Sequence, residues 1–398
     1  MTFKQNFTLT ILLLCWASIL SCGFIDTTSA APAKAKQAII GYYPDWSAGD
    51  YPPNAIPYDK LTHVYYVNLH HTPYILFSIP TAFAIPQDSN DWTIQSTDST
   101  LQQIVSLAHA ARTKVILTFG GWTGSYTFSS IAAAPDRRQQ FVTNALNFID
   151  QFDLDGIDID WEYPGAEGNT NDFDAASDAD NFLLLLTALR QALDAKYIGS
   201  NRKEISAATD IEPFSKNGSP LKDVSAFVPI LDRYGSWSST TGPNSPLNPS
   251  PENPLAITHA VQSWSSAGMP ASKIIIGIAF YGRGAQASQP MDGRTQYVPF
   301  VSGSSVEWQW KDLRSQGILS GPTKAAVPWV RYFDKTAGTP WLYNTQTQDF
   351  ISYDDPQSLK LKGQYIKQNA LGGCMIWDLA QDTSSSELLH ALRKGLKA

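Results

Sequence analysis

Residues Phe152-Asp-Leu-Asp155-Gly-Ile-Asp158-Ile-Asp160-Trp161-Glu162-Tyr163-Pro164 set the reading of the whole chain. From Gly156 to Glu162 the pattern alternates with period two, so Leu154–Glu162 reads as a strand. Ile157, Ile159 and Trp161 share one face; Asp158, Asp160 and Glu162 share the other. Three carboxylates on one face stand about 6–7 Å apart per step. Like charges that close resist joint ionisation, so at least one holds a proton near neutrality. A carboxylic acid kept protonated at a strand tip is what acid-catalysed cleavage of a glycosidic bond requires. Asp155 has the wrong parity to join them and reads as a structural residue at the edge of the run.

The 398 residues carry a net charge of −7, which argues against nucleic acid or an anionic membrane surface as partner. Only 16% are charged and 12% are aromatic, with twelve Trp, a balance suited to a neutral ligand with flat apolar faces such as a sugar ring. At the N-terminus Lys4 precedes the apolar run Leu9–Leu20 and then small residues. That run is too short to span a bilayer and reads as a secretory signal within residues 1–31, cleaved after Gly23 or near Ala30, and the protein as extracellular. A lipid-modified Cys22 is the weaker alternative. Removing the signal takes away Cys15 and Cys22 and leaves Cys374 alone, so the mature chain rests on its core rather than on disulfides.

After the linker Ala33–Lys36, strands and helices alternate. Strands are expected at Ala38–Tyr43, Leu61–Val67, Lys114–Gly120, Leu154–Glu162, Glu204–Asp210, Lys273–Phe280 and Gly373–Asp378. Helices are expected at Leu101–Arg112, Asp136–Phe152, Ala179–Tyr197, Leu255–Ala267, Pro356–Asn369 and Ser385–Leu396. Continuous apolar strands alternating with amphipathic helices indicate a parallel sheet, and eight such units close into a (β/α)8 TIM barrel over residues 32–398. The acids lie at the C-terminal, catalytic end of their strand. Residues 284–352 are too many for a plain loop. With Trp308, Trp310, Trp329, Tyr332, Trp341 and Tyr343 they read as a small α+β insertion before the last strand, and Ser236–Pro254 reads as a surface loop.

Asp155, Asp158, Asp160 and Glu162 carry the signature D-x-x-D-x-D-x-E, and with its neighbours the run resembles family 18 glycoside hydrolases, the chitinases. Gly41-Tyr42-Tyr43-Pro-Asp-Trp46 looks like the family's first strand. Leu117-Thr118-Phe119-Gly120-Gly121-Trp122 is similar to the S-x-G-G-W of the third, with Thr for Ser. Gly277-Ile-Ala-Phe280-Tyr281-Gly282-Arg283 matches the seventh, and Tyr353-Asp354-Asp355-Pro356 followed by Leu371-Gly-Gly-Cys-Met375-Ile-Trp377 matches the eighth. Trp341-Leu-Tyr343-Asn344 falls where the inserted domain ends.

The resemblance implies substrate-assisted, retaining hydrolysis of β-1,4-linked N-acetylglucosamine, in chitin or chito-oligosaccharides. Glu162 is then the general acid/base, Asp160 orients the 2-acetamido group, and Asp158 supports Asp160 while held by Tyr42 and Thr118. Trp377 floors the pocket, Trp122 stacks on the sugar beyond, and Tyr42, Gly121, Tyr163, Tyr281 and Arg283 line the site. No cofactor is implied, and six scattered histidines show no metal-ligand spacing. The protein is expected to act as a monomer.

Two stretches depart from the family pattern. The sixth strand ordinarily carries M-x-Y-D, whose Tyr and Asp contact the acetamido group and the scissile region. Here, one alignment sets Asp232 as that Asp, with Leu231 and Pro229 in place of Tyr and Met. The other, which fits the helical spacing of Val224, Phe227, Val228 and Leu231 better, makes Val224–Asp232 the preceding helix and leaves the sixth strand missing. Val67–Ala82 adds an apolar, proline-punctuated insertion after the second strand. Both are what a retained insertion and a skipped coding piece would leave. Two other functions stay open: a chitinase-like carbohydrate-binding protein with little or no activity, and an endo-β-N-acetylglucosaminidase acting on glycoproteins.

Overall fold

The computed structural model describes residues 37–67, 99–122, 124–168, 172–237, 243–291 and 296–398. The expected signal segment and almost all of the Val67–Ala82 insertion lie outside these residues. Eight parallel strands close a barrel: β1 (Ala38–Pro44), β2 (His63–Val67), β3 (Lys114–Gly120), β4 (Gly156–Asp160), β5 (Glu204–Asp210), β6 (Arg233–Trp237), β7 (Ile274–Ala279) and, after the insertion, β13 (Gly373–Trp377). Around the ring, β1 pairs with β13 and β2, and β6 pairs with β5 and β7. The outer helices are α1 (Ser99–Ala110), α2 (Pro135–Phe152), α3 (Asp178–Lys196), α4 (Ile257–Ser266), α5 (Pro356–Gln368) and α6 (Glu387–Lys397). Period two in β4 sends Ile157, Ile159 and Trp161 outward, where Trp161 stacks on Phe128 at 5.5 Å and meets Phe182 edge-on. The acidic face is left to the barrel interior.

The sixth strand is present, directly after Asp232. The segment Val224–Asp232 is not the expected helix: it holds one 3-10 turn at Ser225–Phe227. Val224, Phe227 and Leu231 are buried, so their helical spacing reflects burial rather than a helix. Backbone groups of this segment are satisfied from outside. Lys273 Nζ donates to the carbonyls of Val228 and Leu231 at 2.6 Å, and Asp223 accepts from the Ser225 N–H at 2.8 Å. Arg233 opens the strand with a charge, which hid it. That charge is half-buried against Glu204, at 3.1 Å, and the His63 ring, at 3.3 Å. Burial alone would raise Glu204, but His63, Arg233 and Lys114 hold its carboxyl well below the usual range. Burial lowers the His63 pKa, against the opposing pull of Glu204.

The insertion forms a five-stranded antiparallel sheet in the order β9-β8-β12-β11-β10. Its strands are β8 (Tyr281–Gln286), β9 (Val306–Gln309), β10 (Trp329–Asp334), β11 (Thr339–Asn344) and β12 (Asp349–Ser352). The described residues 243–247, expected on the surface, are buried. Their polarity serves the junction between barrel and insertion. The Asn244 N–H donates to Ser352 Oγ at 2.8 Å, Asn244 Nδ2 to the Tyr281 carbonyl at 3.0 Å, and Lys362 Nζ to Ser245 Oγ at 3.0 Å. Lys362 is fully buried and pairs with Asp354 at 2.5 Å. Cys374 is a buried free thiol, pushed up to about 12 by burial.

Candidate active site

β3, β4 and β5 run in register, so Thr118, Asp158 and Ser206 stand side by side inside the barrel. Asp158 is 1% exposed and surrounded by hydroxyls. Ser206 Oγ donates to its Oδ1 at 2.6 Å, while Tyr42 Oη and Thr118 Oγ1 donate to its Oδ2 at 2.8 and 3.1 Å. Burial raises the Asp158 pKa; these three donors pull it back by stabilising the carboxylate. One layer up, Asp160 has Gly120 and Ala208 as lateral neighbours, which leave space beside it. Asp160 Oδ1 is buried and has no protein partner among the described residues. Burial raises Asp160 well above the carboxylate range, and the charges of Glu162 and Asp158 add to that. Glu162 is pushed up to about 7, chiefly by burial, with a small contribution from Asp210; hydrogen bonds from Tyr163 and Asp160 oppose the rise. At neutral pH the Asp160–Glu162 pair therefore retains a proton.

The backbone beneath these acids is held tightly. Gly120 has φ +104°, and a Cβ there would lie 2.2 Å from the Asp160 carbonyl oxygen, so only glycine fits. The Gly121 N–H donates to that same carbonyl at 2.5 Å. Ser125 Oγ accepts the Glu162 N–H at 3.0 Å and reaches the Gly121 and Asp160 carbonyls at 2.8 and 3.1 Å. The chain after β3 is thus tied to both ends of the Asp160–Glu162 step.

Aromatic side chains ring the C-terminal ends of the strands. Trp377, at the end of β13, is half-buried against Tyr42 at 5.4 Å and Trp46 at 6.4 Å. Trp122 and Trp46 are exposed at 49% and 44%, unusual for Trp and open to a ligand face. Tyr281 opens β8 close enough to Glu162 to feel its charge, and the exposed Arg283 guanidinium lies 5.8 Å from the Tyr281 ring. Asp155 points away from the acids: its Oδ2 accepts the Val115 N–H at 2.8 Å and lies 2.9 Å from His109 Nε2, pinning α1 to the barrel.

Ser206, Ser125, Asp210 and Trp46 escaped the sequence reading as site residues. Asp210 and Trp46 carried a signal, since each falls at or just beyond the C-terminal end of a barrel strand. Ser206 and Ser125 carried none, because their roles arise from cross-strand register and loop closure.

A family profile described as Glycosyl hydrolases family 18 matches residues 38–382. A chitinase-like effector of Moniliophthora roreri is 32% identical over 92% of this chain and 95% of its own length. Chitinase A1 of Niallia circulans is 29% identical over 93% of this chain, which spans 60% of that longer protein. Among solved structures, a chitinase from Rhizomucor miehei superposes with a TM-score of 0.78 at 29% identity, covering 90% of this chain and all of that one.

Proposed function

The chain belongs to family 18 of the glycosyl hydrolases, and from that premise we propose that it is an exported chitinase. It would cleave β-1,4 N-acetylglucosamine linkages with retention of configuration. The observation that carries this reading is the graded acid set. Asp158 is hydroxyl-bound, Asp160 is raised well above the carboxylate range, and Glu162 is raised to about 7 at the open end of β4.

In this reading the chain's own groups and the substrate suffice. Protonated Glu162 gives its proton to the glycosidic oxygen as the C1–O bond breaks. The acetamido oxygen of the same sugar forms a bond to C1, giving an oxazolinium ion. Asp160 stabilises the positive charge on the acetamido nitrogen, through the carboxylate oxygen that has no partner among the described residues. Asp158 sets the charge and orientation of Asp160. Glu162, now ionised, takes a proton from the water that adds to C1, and the ring opens to restore the acetamido group. Trp377 supplies the apolar floor under the reacting sugar, and Trp122 the platform for the next one. Tyr281 and Arg283 flank the ring from the insertion sheet.

A second reading is a chito-oligosaccharide-binding protein with little turnover. It is favoured by β6, where Arg233–Trp237 stands in place of M-x-Y-D and so supplies no Tyr-Asp pair, and by the relative named a chitinase-like effector. The test is hydrolysis of a chromogenic N-acetylglucosamine oligomer by the chain and its Glu162→Gln variant, with oligomer binding measured beside it. Loss of the proton donor should cut the rate by about 10²–10⁴ and spare binding. An unaltered rate in the variant refutes the role of Glu162. Binding without turnover in the unmodified chain selects the second reading.

A further inference from the structure

A second cavity lies on the insertion, between residues 250–252, residues 296–297 and the β10–β11 hairpin. Its volume is about 380 Å³, within the range of small-ligand sites. None of its lining residues belongs to the active site. β10 is the edge strand of the sheet, three strands from β8, which carries Tyr281. At the usual strand spacing that is about 14 Å across the sheet.

The lining combines rings with hydrogen-bonding groups. Tyr332 is half-buried and stacks on Trp341 with centroids 4.3 Å apart and planes 24° apart, so Trp341 backs a rigid Tyr332 plate. Tyr297 faces the same space, its hydroxyl 2.6 Å from Ser250 Oγ. One of these hydroxyls donates to the other, and Ser250 Oγ also accepts the Asn253 N–H at 3.1 Å, which fixes the pair at the cavity wall. Gln296 is 2% exposed; its Nε2 donates to Asp334 Oδ2 at 3.0 Å. That commits its carbonyl oxygen elsewhere, and the oxygen has no partner among the described residues. Asp334 also accepts the N–H groups of Thr336 and Ala337, at 2.8 and 3.0 Å, which fixes the hairpin rim.

This chemistry selects a ligand class. Among the described lining residues, Glu252 and Asp334 against the one cation Lys335 disfavour an anion. The polar groups disfavour a purely apolar ligand. A neutral ring with one apolar face and several hydroxyl donors meets both the plates and the acceptors. We propose that this cavity is a second saccharide-binding site, holding a stretch of N-acetylglucosamine oligomer outside the barrel. That choice of sugar rests on the function proposed above.

The experiment is calorimetric titration of the full chain, in a Glu162→Gln background that prevents turnover, with chitotetraose and separately with cellotetraose. Thr336→Trp fills the exposed rim without removing any packed side chain, and Tyr297→Ala removes a lining ring and its hydroxyl. Two binding events are expected with chitotetraose, the second weakened at least tenfold by either variant while the first is unchanged. A single event untouched by both variants overturns the proposal. A variant-sensitive event without the barrel event keeps the cavity and sinks the proposed barrel substrate. A variant-sensitive event with cellotetraose alone keeps the cavity as a saccharide site and overturns its assignment to N-acetylglucosamine.

Discussion

Replacing Glu162 by Gln should stabilise the protein as pH rises above 4.5, with the full gain reached beyond about 7. In the folded chain, burial pushes Glu162 from its ordinary 4.5 up to about 7. A raised carboxyl pKa means that folding disfavours the charged form. Below 4.5 the group is protonated in both states and costs nothing. Between 4.5 and about 7 the unfolded chain ionises first, so stability falls as pH rises, and beyond about 7 the cost is complete. At about 1.4 kcal/mol per pH unit the ceiling is about 3 kcal/mol. Two features lower it: the carboxyl is partly exposed at the barrel mouth, and Asp160 relaxes toward ionisation once its neighbour is neutral. The expected gain at pH 8 is therefore about 1–2 kcal/mol. Urea denaturation of both proteins at pH 4.5 and pH 8 measures it, with coincident curves expected at pH 4.5. An equal difference at both pH values, or a less stable variant at pH 8, would refute the account of how burial tunes this acid. The gain at the expense of activity is the trade-off expected of a strained catalytic group.

Two further outcomes follow from the same geometry. The alkaline limb of the pH–kcat/KM profile should fall near 7, as the general acid loses its proton. Tyr163→Phe removes a hydroxyl that favours the Glu162 carboxylate. At about 1.5–3 kcal/mol for a hydrogen bond to a charge, the limb should move up by roughly one to two pH units. A profile that stays put, or moves toward acid, contradicts the hydrogen bond's role. At the barrel–insertion junction, Lys362→Ala leaves Asp354 buried without its cation. It should cost about 3–5 kcal/mol in chemical denaturation, most of it recovered by Lys362→Met with Asp354→Leu. No recovery in the double variant means that the pair does more than neutralise itself.

Much of the barrel was legible because its signals are local. Alternation in Gly156–Glu162 needs only neighbours two residues apart, and the strand at Lys114–Gly120 falls where its apolar run places it. Helix spacing found α2 and α3 to within a residue or two at each end. The same spacing misled at Val224–Asp232, because Val224, Phe227 and Leu231 are buried around a single 3-10 turn, and Lys273 satisfies the Val228 and Leu231 carbonyls that follow it. β6 was missed for a related reason: Arg233 opens it with a charge that only the fold pairs, by bringing up Glu204 from 29 residues away. Residues 243–247 read as exposed because they are polar, yet their groups close the junction with Ser352, Tyr281 and Lys362.

The fold class and the acid triad could be read from the chain alone, since period, motif order and like-charge crowding are properties of neighbouring residues. The state of those acids, by contrast, was set by the folded barrel. Three hydroxyls from three other strands reach Asp158, a glycine gives Asp160 its space, and burial raises Glu162 toward neutrality. Each of these depends on strand register and barrel closure, which bring to Asp158 groups 40, 48 and 116 residues away in the chain.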